Sequence, residues 1–370
     1  MSVTPRRPGR LSALILAVML GASGFLIVRG PDEAEPPPSP ALLSLPGRAS
    51  VADAWPDAER GSFSSRLPDG AAFVPGLFLD ARTAMGSART RNGRSLRLIV
   101  RRADESVREL RRLPSSRGPT FDSFASSATH VVWVEQMDDT ARQIWVADLR
   151  DPRSAARLLT TDAGAAVFTG SPYDLVINDD KVFWTAQPTG LDSTEIRSVP
   201  INGGRVSVRT ENGSWSLSSW PWLTDGSDQA SVARLRDLAT GRVVEISGSG
   251  TELLTCGPVW CRVAVVAEGG IARLDLMRHD GSGRSTMAVG TATAAGVDVA
   301  VLGRFELLFE PRAVPGENNT AKLAVYDITA ARVVEISPEV DQVFCSAGML
   351  WWPTGAGDAV VWNVVDLRTV

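Results

Sequence analysis

A repeated pattern of short strands constrains the fold of this chain more than any other feature of its sequence. From residue 131 onward, apolar strands recur that end in an aspartate followed by an aliphatic residue. The clearest copies end at Asp148-Leu149, Asp237-Leu238, Asp275-Leu276, Asp327-Ile328 and Asp366-Leu367. A strand that begins with arginine usually follows, and the hexapeptide RVVEIS occurs at both 242–247 and 332–337. Successive copies start roughly 37 to 52 residues apart, a range that spans the length of one β-propeller blade.

These units predict an all-β fold, a β-propeller of about seven blades, with six as the alternative number. A small antiparallel sheet cannot bury both of its faces alone, and radial stacking of such sheets covers the faces and protects the edges. The last unit stops after Asp366-Leu367 and lacks a final strand. We expect residues 71–79, AAFVPGLFL, to supply that strand and close the ring. A parallel β-helix is the other candidate architecture, although its repeats are shorter and more constant.

Residues 1–47 predict a membrane anchor in front of the propeller. Residues 1–10 are basic, and residues 11–28 form an apolar run close to the roughly 20 residues that cross a bilayer. Basic residues before such a run place the N-terminus in the cytoplasm and the rest of the chain outside. A cleaved signal peptide is the alternative. The proline-rich residues 29–47 are a linker, and residues 48–370 form the extracytoplasmic propeller.

The cysteines indicate an oxidising compartment. The turn TCGPVWCRV places Cys256 and Cys261 on either side of a Gly-Pro pair, and a tight hairpin there brings the two Cα atoms within disulfide range. We expect a disulfide between them, because proteins outside the cytoplasm form such bonds. A metal site or a redox-active dithiol is the alternative, but no nearby histidine or CxxC motif supplies further ligands. Cys345 has no evident partner and is predicted to be a buried free thiol.

No motif in the sequence indicates a catalytic, metal or cofactor site, and we therefore predict none. The two histidines are His130 and His279, which favours neither a metal centre nor a Ser-His-Asp triad. The acid pairs at 138–139 and 179–180 lie in polar turns and lack the alternating pattern of a calcium-binding loop. The arginine-rich residues 82–117 are interpreted as a solvated strand face, with a basic surface for an anionic partner as the alternative. Nucleic acid is not an expected partner.

Tryptophan is frequent, with 11 residues in the chain. One group recurs at comparable places in successive units, as in a layer packed between blades. Its members are Trp133, Trp184, Trp260 and Trp351. The connecting segment WSLSSWPWL contains three more, Trp215, Trp220 and Trp222. We predict these three as a possible surface for a carbohydrate or peptide ligand, with ordinary packing between blades as the alternative.

Several strands and one turn have the form found in a known group of propellers. They are IWVADLRDPRSAARLLT at 144–160, VFWTAQ at 182–187, EIRSVPINGG at 195–204 and the CGPVWC turn at 256–261. In these residues the chain resembles the TolB-like and WD40-like β-propeller domains of membrane-anchored bacterial proteins. The resemblance implies a binding platform outside the cytoplasmic membrane, and it carries over no catalytic residues.

Together these patterns predict a membrane-tethered extracytoplasmic propeller that acts as a binding or scaffold platform and is not an enzyme. Its expected partners are the cytoplasmic membrane and a protein or envelope glycan, and its expected location is the cell membrane, in a single pass. A propeller-based hydrolase or lyase acting on envelope polymers is the first alternative, and an extracytoplasmic sensor module is the second. The enzyme alternative requires acids or a histidine that converge on the central channel. The candidates for such convergence are Asp179, Asp180, Asp225, Asp228 and His130.

Overall fold

Seven sheets follow one another around a ring. The computed structural model describes residues 48–138, 142–225, 231–311 and 320–370. The predicted tail, membrane anchor and linker, residues 1–47, lie outside the described residues. Within the described residues, no helix is long and apolar enough to cross a membrane. The architecture is the predicted all-β propeller, with seven blades rather than six.

Each blade consists of consecutive strands, and the first of them lies nearest the ring axis. Before the first blade come β1 (Ala49–Ser50), the short helix α1 (Val51–Ala54) and β2 (Arg60–Ser64). Blade 1 contains β3 (Phe73–Asp80), β4 (Thr83–Arg89), β5 (Ser95–Arg102) and β6 (Val107–Pro114). Blade 2 contains β7 (Thr120–Ser126), β8 (His130–Gln136), β9 (Gln143–Asp148) and β10 (Arg157–Thr160). Blade 3 contains β11 (Val176–Asn178), β12 (Lys181–Ala186), β13 (Ser193–Pro200) and β14 (Ser207–Asn212).

The remaining four blades continue in the same order. Blade 4 contains β15 (Ser216–Leu217), β16 (Trp222–Thr224), β17 (Val232–Asp237) and β18 (Val243–Ser247). Blade 5 contains β19 (Glu252–Cys256), β20 (Trp260–Ala267), β21 (Gly270–Arg278) and β22 (Ser285–Val289). Blade 6 contains β23 (Thr293–Ala294), β24 (Phe305–Pro311), β25 (Ala321–Asp327) and β26 (Arg332–Val340). Blade 7 contains β27 (Phe344–Ser346), β28 (Met349–Thr354) and β29 (Val361–Asp366), and short 3-10 helices cover Ser115–Arg117, Gly357–Ala359 and Leu367–Thr369.

At four of its five copies the repeated aspartate ends the third strand of a blade with an Asx turn, whereas Asp275 lies inside β21. Its carboxylate accepts the backbone N–H of the residue two positions later, which is the hydrogen bond that makes aspartate a turn residue. This bond measures between 2.7 and 3.1 Å at Asp148, Asp237, Asp327 and Asp366. The aliphatic residue that follows is buried at Leu238, Leu276 and Leu367. The repeat therefore combines a turn signal with a core position.

The second strands are apolar on both faces because each sheet packs between two neighbours. In β8, the four consecutive residues Val131 to Val134 are all buried. Successive side chains of a strand point to opposite faces, so Val131 and Trp133 pack against blade 1, whereas Val132 and Val134 pack against blade 3. Of the predicted tryptophan layer, Trp133, Trp184 and Trp351 are buried between blades. Trp260 is only partly buried and lines a cavity.

The ring closes by antiparallel pairing of β2 with β29. Arg60 lies opposite Val365, and Ser64 lies opposite Val361. β2 thereby supplies the outer strand that blade 7 lacks, and β1 adds a parallel fifth strand to blade 6. An N-terminal segment completes the last blade, as expected from the missing strand.

The prediction that residues 71–79 close the ring is wrong. Phe73–Asp80 form β3, the inner strand of blade 1. The closing strand β2 has the sequence RGSFS, of which Phe63 alone is buried. As an outer strand it covers little core, so it lacks the apolar alternation that marks the other strands in the sequence.

Asp327 connects the N-terminal segment to blade 6. It is fully buried and accepts hydrogen bonds of 3.0 and 2.8 Å from Arg304 and one of 3.3 Å from the indole N–H of Trp55. Burial raises the pKa of Asp327, but the hydrogen bonds, led by the one from Arg304, outweigh burial and hold the pKa below its ordinary value. Its stabilising effect is therefore present above the unfolded-state pKa and is lost as the pH falls through the folded-state value.

We expect Asp327→Ala to lower the free energy of unfolding by about 3 kcal/mol, because the substitution breaks a buried ion pair and leaves Arg304 without its partner. Asp237→Ala removes the same Asx turn in blade 4 without a buried ion pair and should cost less. Urea unfolding followed by circular dichroism measures both. Equal losses in the two variants would contradict a special role for Asp327.

Candidate active site

A cavity of about 340 Å³ lies where the inner strands end, around the axis of the ring. Six of the seven blades contribute to its lining, that is, all except blade 1. Most of the lining residues lie at or just after the ends of the inner strands, in the turns to the second strands. Because each blade presents this turn at the same end of the ring, segments that are distant in sequence meet there.

Tyr173 and Asp298 meet in this axial cavity from different blades. Tyr173 precedes β11 of blade 3, and Asp298 lies between β23 and β24 of blade 6. The Tyr173 hydroxyl donates a hydrogen bond of 2.8 Å to Oδ2 of Asp298. The Ser219 hydroxyl of blade 4 lies close enough to oppose, slightly, the rise in the pKa of Tyr173.

The surroundings of Asp298 raise the pKa of its carboxyl to about 6. Burial is the main cause, the hydrogen bond from Tyr173 opposes it, and the negative charge of Glu306 adds to it. Burial and the neighbouring Asp298 also raise the pKa of the Tyr173 hydroxyl, so this group stays protonated and donates to the carboxyl. A carboxyl with a pKa close to neutral is suited to both taking up and releasing a proton.

A buried ion pair holds the loop that carries Asp298. Nη1 of Arg262 in β20 lies 2.6 Å from Oε1 of Glu306 in β24, and Glu306 is fully buried. The same Arg262 nitrogen donates to the carbonyl of Gly296, just before Asp298. The other Glu306 oxygen accepts the N–H of Ala300, just after Asp298. The ion pair therefore fixes the backbone on both sides of the candidate catalytic carboxyl.

Asp174 shapes the segment that carries Tyr173. Its carboxylate accepts the backbone N–H groups of Thr169 and Gly170 at 2.9 and 2.8 Å, and the hydroxyl of Ser123 at 3.0 Å. Burial raises the pKa of Asp174. These bonds turn the chain ahead of β11 and direct the neighbouring Tyr173 into the cavity.

Cys256 and Cys261 form a disulfide beside the cavity wall. They lie directly opposite each other on β19 and β20, with Cα atoms 4.1 Å apart, close to the spacing of a non-hydrogen-bonded strand pair. The turn between them includes Pro258, Val259 and Trp260, which line the cavity. The disulfide therefore fixes the blade 5 part of the wall.

Cys345 is a free thiol, and it is half-buried rather than fully buried. Burial and the charge of Asp298 raise the pKa of this thiol. A protonated thiol is a poor nucleophile, so Cys345 is not a candidate for the reacting group.

The predicted ligand surface of Trp215, Trp220 and Trp222 is divided among different environments. Trp215 is buried in the core between blades 3 and 4, and Trp222 packs against the core between blades 4 and 5. Trp220 lies against Phe183 with ring centroids 3.9 Å apart and lines a separate cavity of about 300 Å³. None of the three tryptophans lines the axial cavity.

The acids and the histidine considered from the sequence do not converge in the described part of the chain. Asp179 and Asp180 form an exposed turn, and Asp225 pairs with Arg234 at 3.0 Å. His130 hydrogen-bonds to its neighbour Thr129, and Asp228 lies outside the described residues. The described residues contain no group of three or more His, Cys, Asp or Glu that could hold a metal ion.

Sequence reasoning missed Tyr173 and Asp298. The available signal was the segment TATAAGVDVAVLG at 291–303, in which Asp298 is the one charged residue among small and apolar ones. An isolated acid in such a segment is expected either to be paired or to have a perturbed pKa. Nothing in the sequence links this segment to Tyr173.

Fold and cavity together define a closed seven-bladed propeller in which Tyr173 donates a hydrogen bond to Asp298 in the axial cavity. No family model and no curated protein matches the chain. Among solved structures, an oligogalacturonate lyase in complex with manganese is 10% identical, covers 84% of this chain and 96% of its own, and has a TM-score of 0.51. A puromycin-hydrolysing peptidase of Mycobacterium tuberculosis is 16% identical, covers 86% of this chain and 53% of its own, and has a TM-score of 0.48. A prolyl endopeptidase is 10% identical, covers 85% of this chain and 51% of its own, and has a TM-score of 0.48.

These comparisons contradict the predicted function. The expectation of a binding or scaffold platform that is not an enzyme is wrong against the cited propeller with a TM-score above 0.5, because that propeller is an oligogalacturonate lyase. At this level of identity the likeness establishes the fold alone, and this chain spans about half the length of each peptidase. The chemistry of this chain has to follow from its own axial cavity.

We expect replacement of both Cys256 and Cys261 by alanine to lower the free energy of unfolding by about 2 kcal/mol, because a disulfide with a sequence separation of 5 restricts the unfolded chain. Urea unfolding with and without a reductant measures this loss. The reductant should destabilise the wild type and Cys345→Ala but leave the double variant unchanged. A double variant as stable as the oxidised wild type would contradict the expectation.

We expect Glu306→Gln to lower the pKa of Asp298 below about 6, since the substitution removes a negative charge and frees the charge of Arg262. Carboxyl-carbon NMR of aspartate-labelled protein measures the titration. The matched control is Glu135→Gln, which disrupts another inter-blade ion pair, at 2.8 Å from Arg111, away from the cavity. An unchanged Asp298 titration in Glu306→Gln would show that the ion pair does not influence the site.

Proposed function

We propose that the chain is an extracytoplasmic hydrolase or lyase that acts on a polymer of the cell envelope, with the axial cavity as its active site. The observation that carries this proposal is the Asp298 carboxyl, which is half-buried, hydrogen-bonded to Tyr173 and has a pKa of about 6. Perturbed pKa values of this kind cluster at catalytic sites. The cavity also has the size and the mixed lining of a small-molecule or polymer-end site.

Asp298 acts as the general base in this proposal. In a hydrolase, Asp298 takes a proton from water while the water oxygen bonds to the electrophilic carbon of the substrate. When the bond between this carbon and the departing group breaks, Asp298 gives the proton to the departing group. In a lyase it takes a proton from carbon, a double bond forms, and the departing group receives the proton. Tyr173 donates a hydrogen bond throughout and orients the carboxyl.

The cellular location belongs to the same proposal. Support comes from the apolar run at 11–28 with basic residues before it, which favours a single-pass anchor with the N-terminus inside. The proline-rich linker at 29–47 would act as a spacer between the membrane and the propeller. The Cys256–Cys261 disulfide favours an oxidising compartment, and the TolB-like resemblance favours the same side of the membrane.

We expect the full-length protein in detergent to release products from cell-envelope polymers, with a rate that rises with pH through about 6, because the base must be ionised. New reducing ends or free amines identify hydrolysis, and an ultraviolet-absorbing unsaturated product identifies elimination. Asp298→Asn should lower the rate by at least about 100-fold, the usual contribution of a general base.

The matched control is Asp179→Asn, which changes an exposed aspartate on another inner-hairpin turn outside the cavity. It should keep the full rate and the same pH profile. Thermal unfolding of both variants separates loss of catalysis from loss of folding. Turnover by folded Asp298→Asn at the wild-type rate, or no turnover of any envelope polymer by the wild type, would refute the proposal.

A further inference from the structure

Two exposed aliphatic side chains line the axial cavity, and a third belongs to the residue before Asp298 in the chain. Val259 is 47% exposed, Val297 64% and Leu302 53%. Val259 and Leu302 line the cavity, and Val297 is the neighbour of Asp298. Single exposed aliphatic residues are common on protein surfaces, but a group of them at the rim of a cavity marks a binding surface. We call these three residues the aliphatic rim.

Leu302 occupies a backbone conformation that the fold alone does not favour. Its φ is 57°, and that of Ala300 is 53°. Left-handed backbone is unfavourable for residues with a Cβ, and asparagine or glycine is the usual choice there. Leu302 is unfavourable for two reasons: its backbone is left-handed, and its aliphatic side chain is exposed to solvent. Backbone outliers of this kind cluster at ligand sites. The hydrogen bond from Ala300 to the buried Glu306 holds the loop in place.

The charge of the cavity restricts what can enter it. Asp298 is the one charged side chain in the described lining, which contains no Lys, Arg or His. The charge of Arg262 acts on Asp298 and lowers its pKa, but it is the last and smallest of the causes, and Arg262 is paired with Glu306 at 2.6 Å. A polyanion such as a uronate or phosphate polymer would bring negative charge next to an uncompensated carboxylate, which is unfavourable. The cavity therefore selects against anionic polymers.

The polar groups of the lining favour a peptide over an acyl chain. The hydroxyls of Ser126, Ser219 and Ser346 lie among apolar residues in the lining. Backbone amides of a ligand can satisfy such hydroxyls, whereas a hydrocarbon chain would bury them without partners. A cavity of about 340 Å³ is at the small end of ligand sites, so it suits one or two residues of an extended chain.

We propose that the axial cavity binds an extended peptide segment with aliphatic side chains, uncharged or positively charged, as its substrate. This inference rests on the proposed function, because it names the substrate class of the same site. The aliphatic rim contacts the side chains of the segment, the serine hydroxyls bond to its backbone, and Asp298 faces the bond that is cleaved. Cleavage of a peptide bond consumes one water, forms a carboxyl group and releases an amine.

The test uses three short synthetic peptides with blocked ends, alike except for one position. The peptide is leucine-rich and carries Ala, Lys or Glu at that position. Fluorescence anisotropy measures its binding to the full-length protein. Mass spectrometry checks whether the peptide stays intact during the measurement. We expect the Ala and Lys peptides to bind at least 10-fold more tightly than the Glu peptide. In Asp298→Asn the difference between Lys and Glu should disappear. Equal or tighter binding of the Glu peptide to the wild type would overturn the proposal.

A second variant tests the aliphatic rim directly. Leu302→Asn removes the aliphatic contact and places at this φ a residue that tolerates it, so we expect at least 10-fold weaker peptide binding with an unchanged or higher unfolding temperature. The control is Val289→Asn, which changes an exposed valine of similar accessibility, 52%, outside the cavity. The proposal would also be overturned if Leu302→Asn bound the peptide as well as the wild type does. The same holds if an acyl-chain detergent displaced the peptide and the three peptides bound equally.

Binding and turnover are measured separately, so the two proposals fail in different ways. Peptide binding with the expected charge preference, but without turnover of any envelope polymer, would refute the enzymatic function and leave the ligand class in place. Turnover of an envelope polymer by a protein that does not bind these peptides would leave the enzyme and refute the peptide as its substrate.

Discussion

Pairing of β2 with β29 is the interaction on which the rest of this structure depends. A blade is covered only while both of its neighbours are in place, so an open ring would expose the apolar faces of blades 1 and 7. Arg101 strengthens this junction, because its guanidinium donates to the carbonyl of Ser64 and lies over the rings of Phe63 and Phe73. The axial cavity depends on the same closure, since six blades supply its lining.

Closure also explains how the fold tolerates an uncompensated carboxyl on its axis. Among the described residues no ion pair is found for Asp298, since Arg262 is bound to Glu306, and a buried carboxylate without an ion-pair partner is unfavourable for folding. The loop remains in place because hydrogen bonds to Gly296 and Ala300 hold it from both sides. The stability of the surrounding blades thus maintains a local arrangement that would not persist in an isolated hairpin.

The features that sequence reasoning predicted are local, and those that it missed join distant segments. The Asp-Leu repeat, the buried tryptophans and the Cys256–Cys261 hairpin each follow from a few neighbouring residues. The contact of Tyr173 with Asp298 spans 125 positions of sequence and leaves no local pattern. β2 escaped notice because an outer strand needs few apolar residues. Tryptophan density around 215–222 does not show which way each ring points, and in the structure Trp215 and Trp222 pack in two different cores.

Closure of the ring by an N-terminal strand has a consequence for the order in which the molecule is made. β2 leaves the ribosome before any blade is complete, and its partner β29 follows only after all seven inner strands. Until β29 has been made, β2 carries unpaired backbone groups. Such an unpaired strand readily pairs with another copy of the same chain. Where nascent chains are crowded, two molecules can exchange β2 strands and interlock. When few copies are made at a time, β2 pairs with β29 of its own chain, and the ring closes within one molecule.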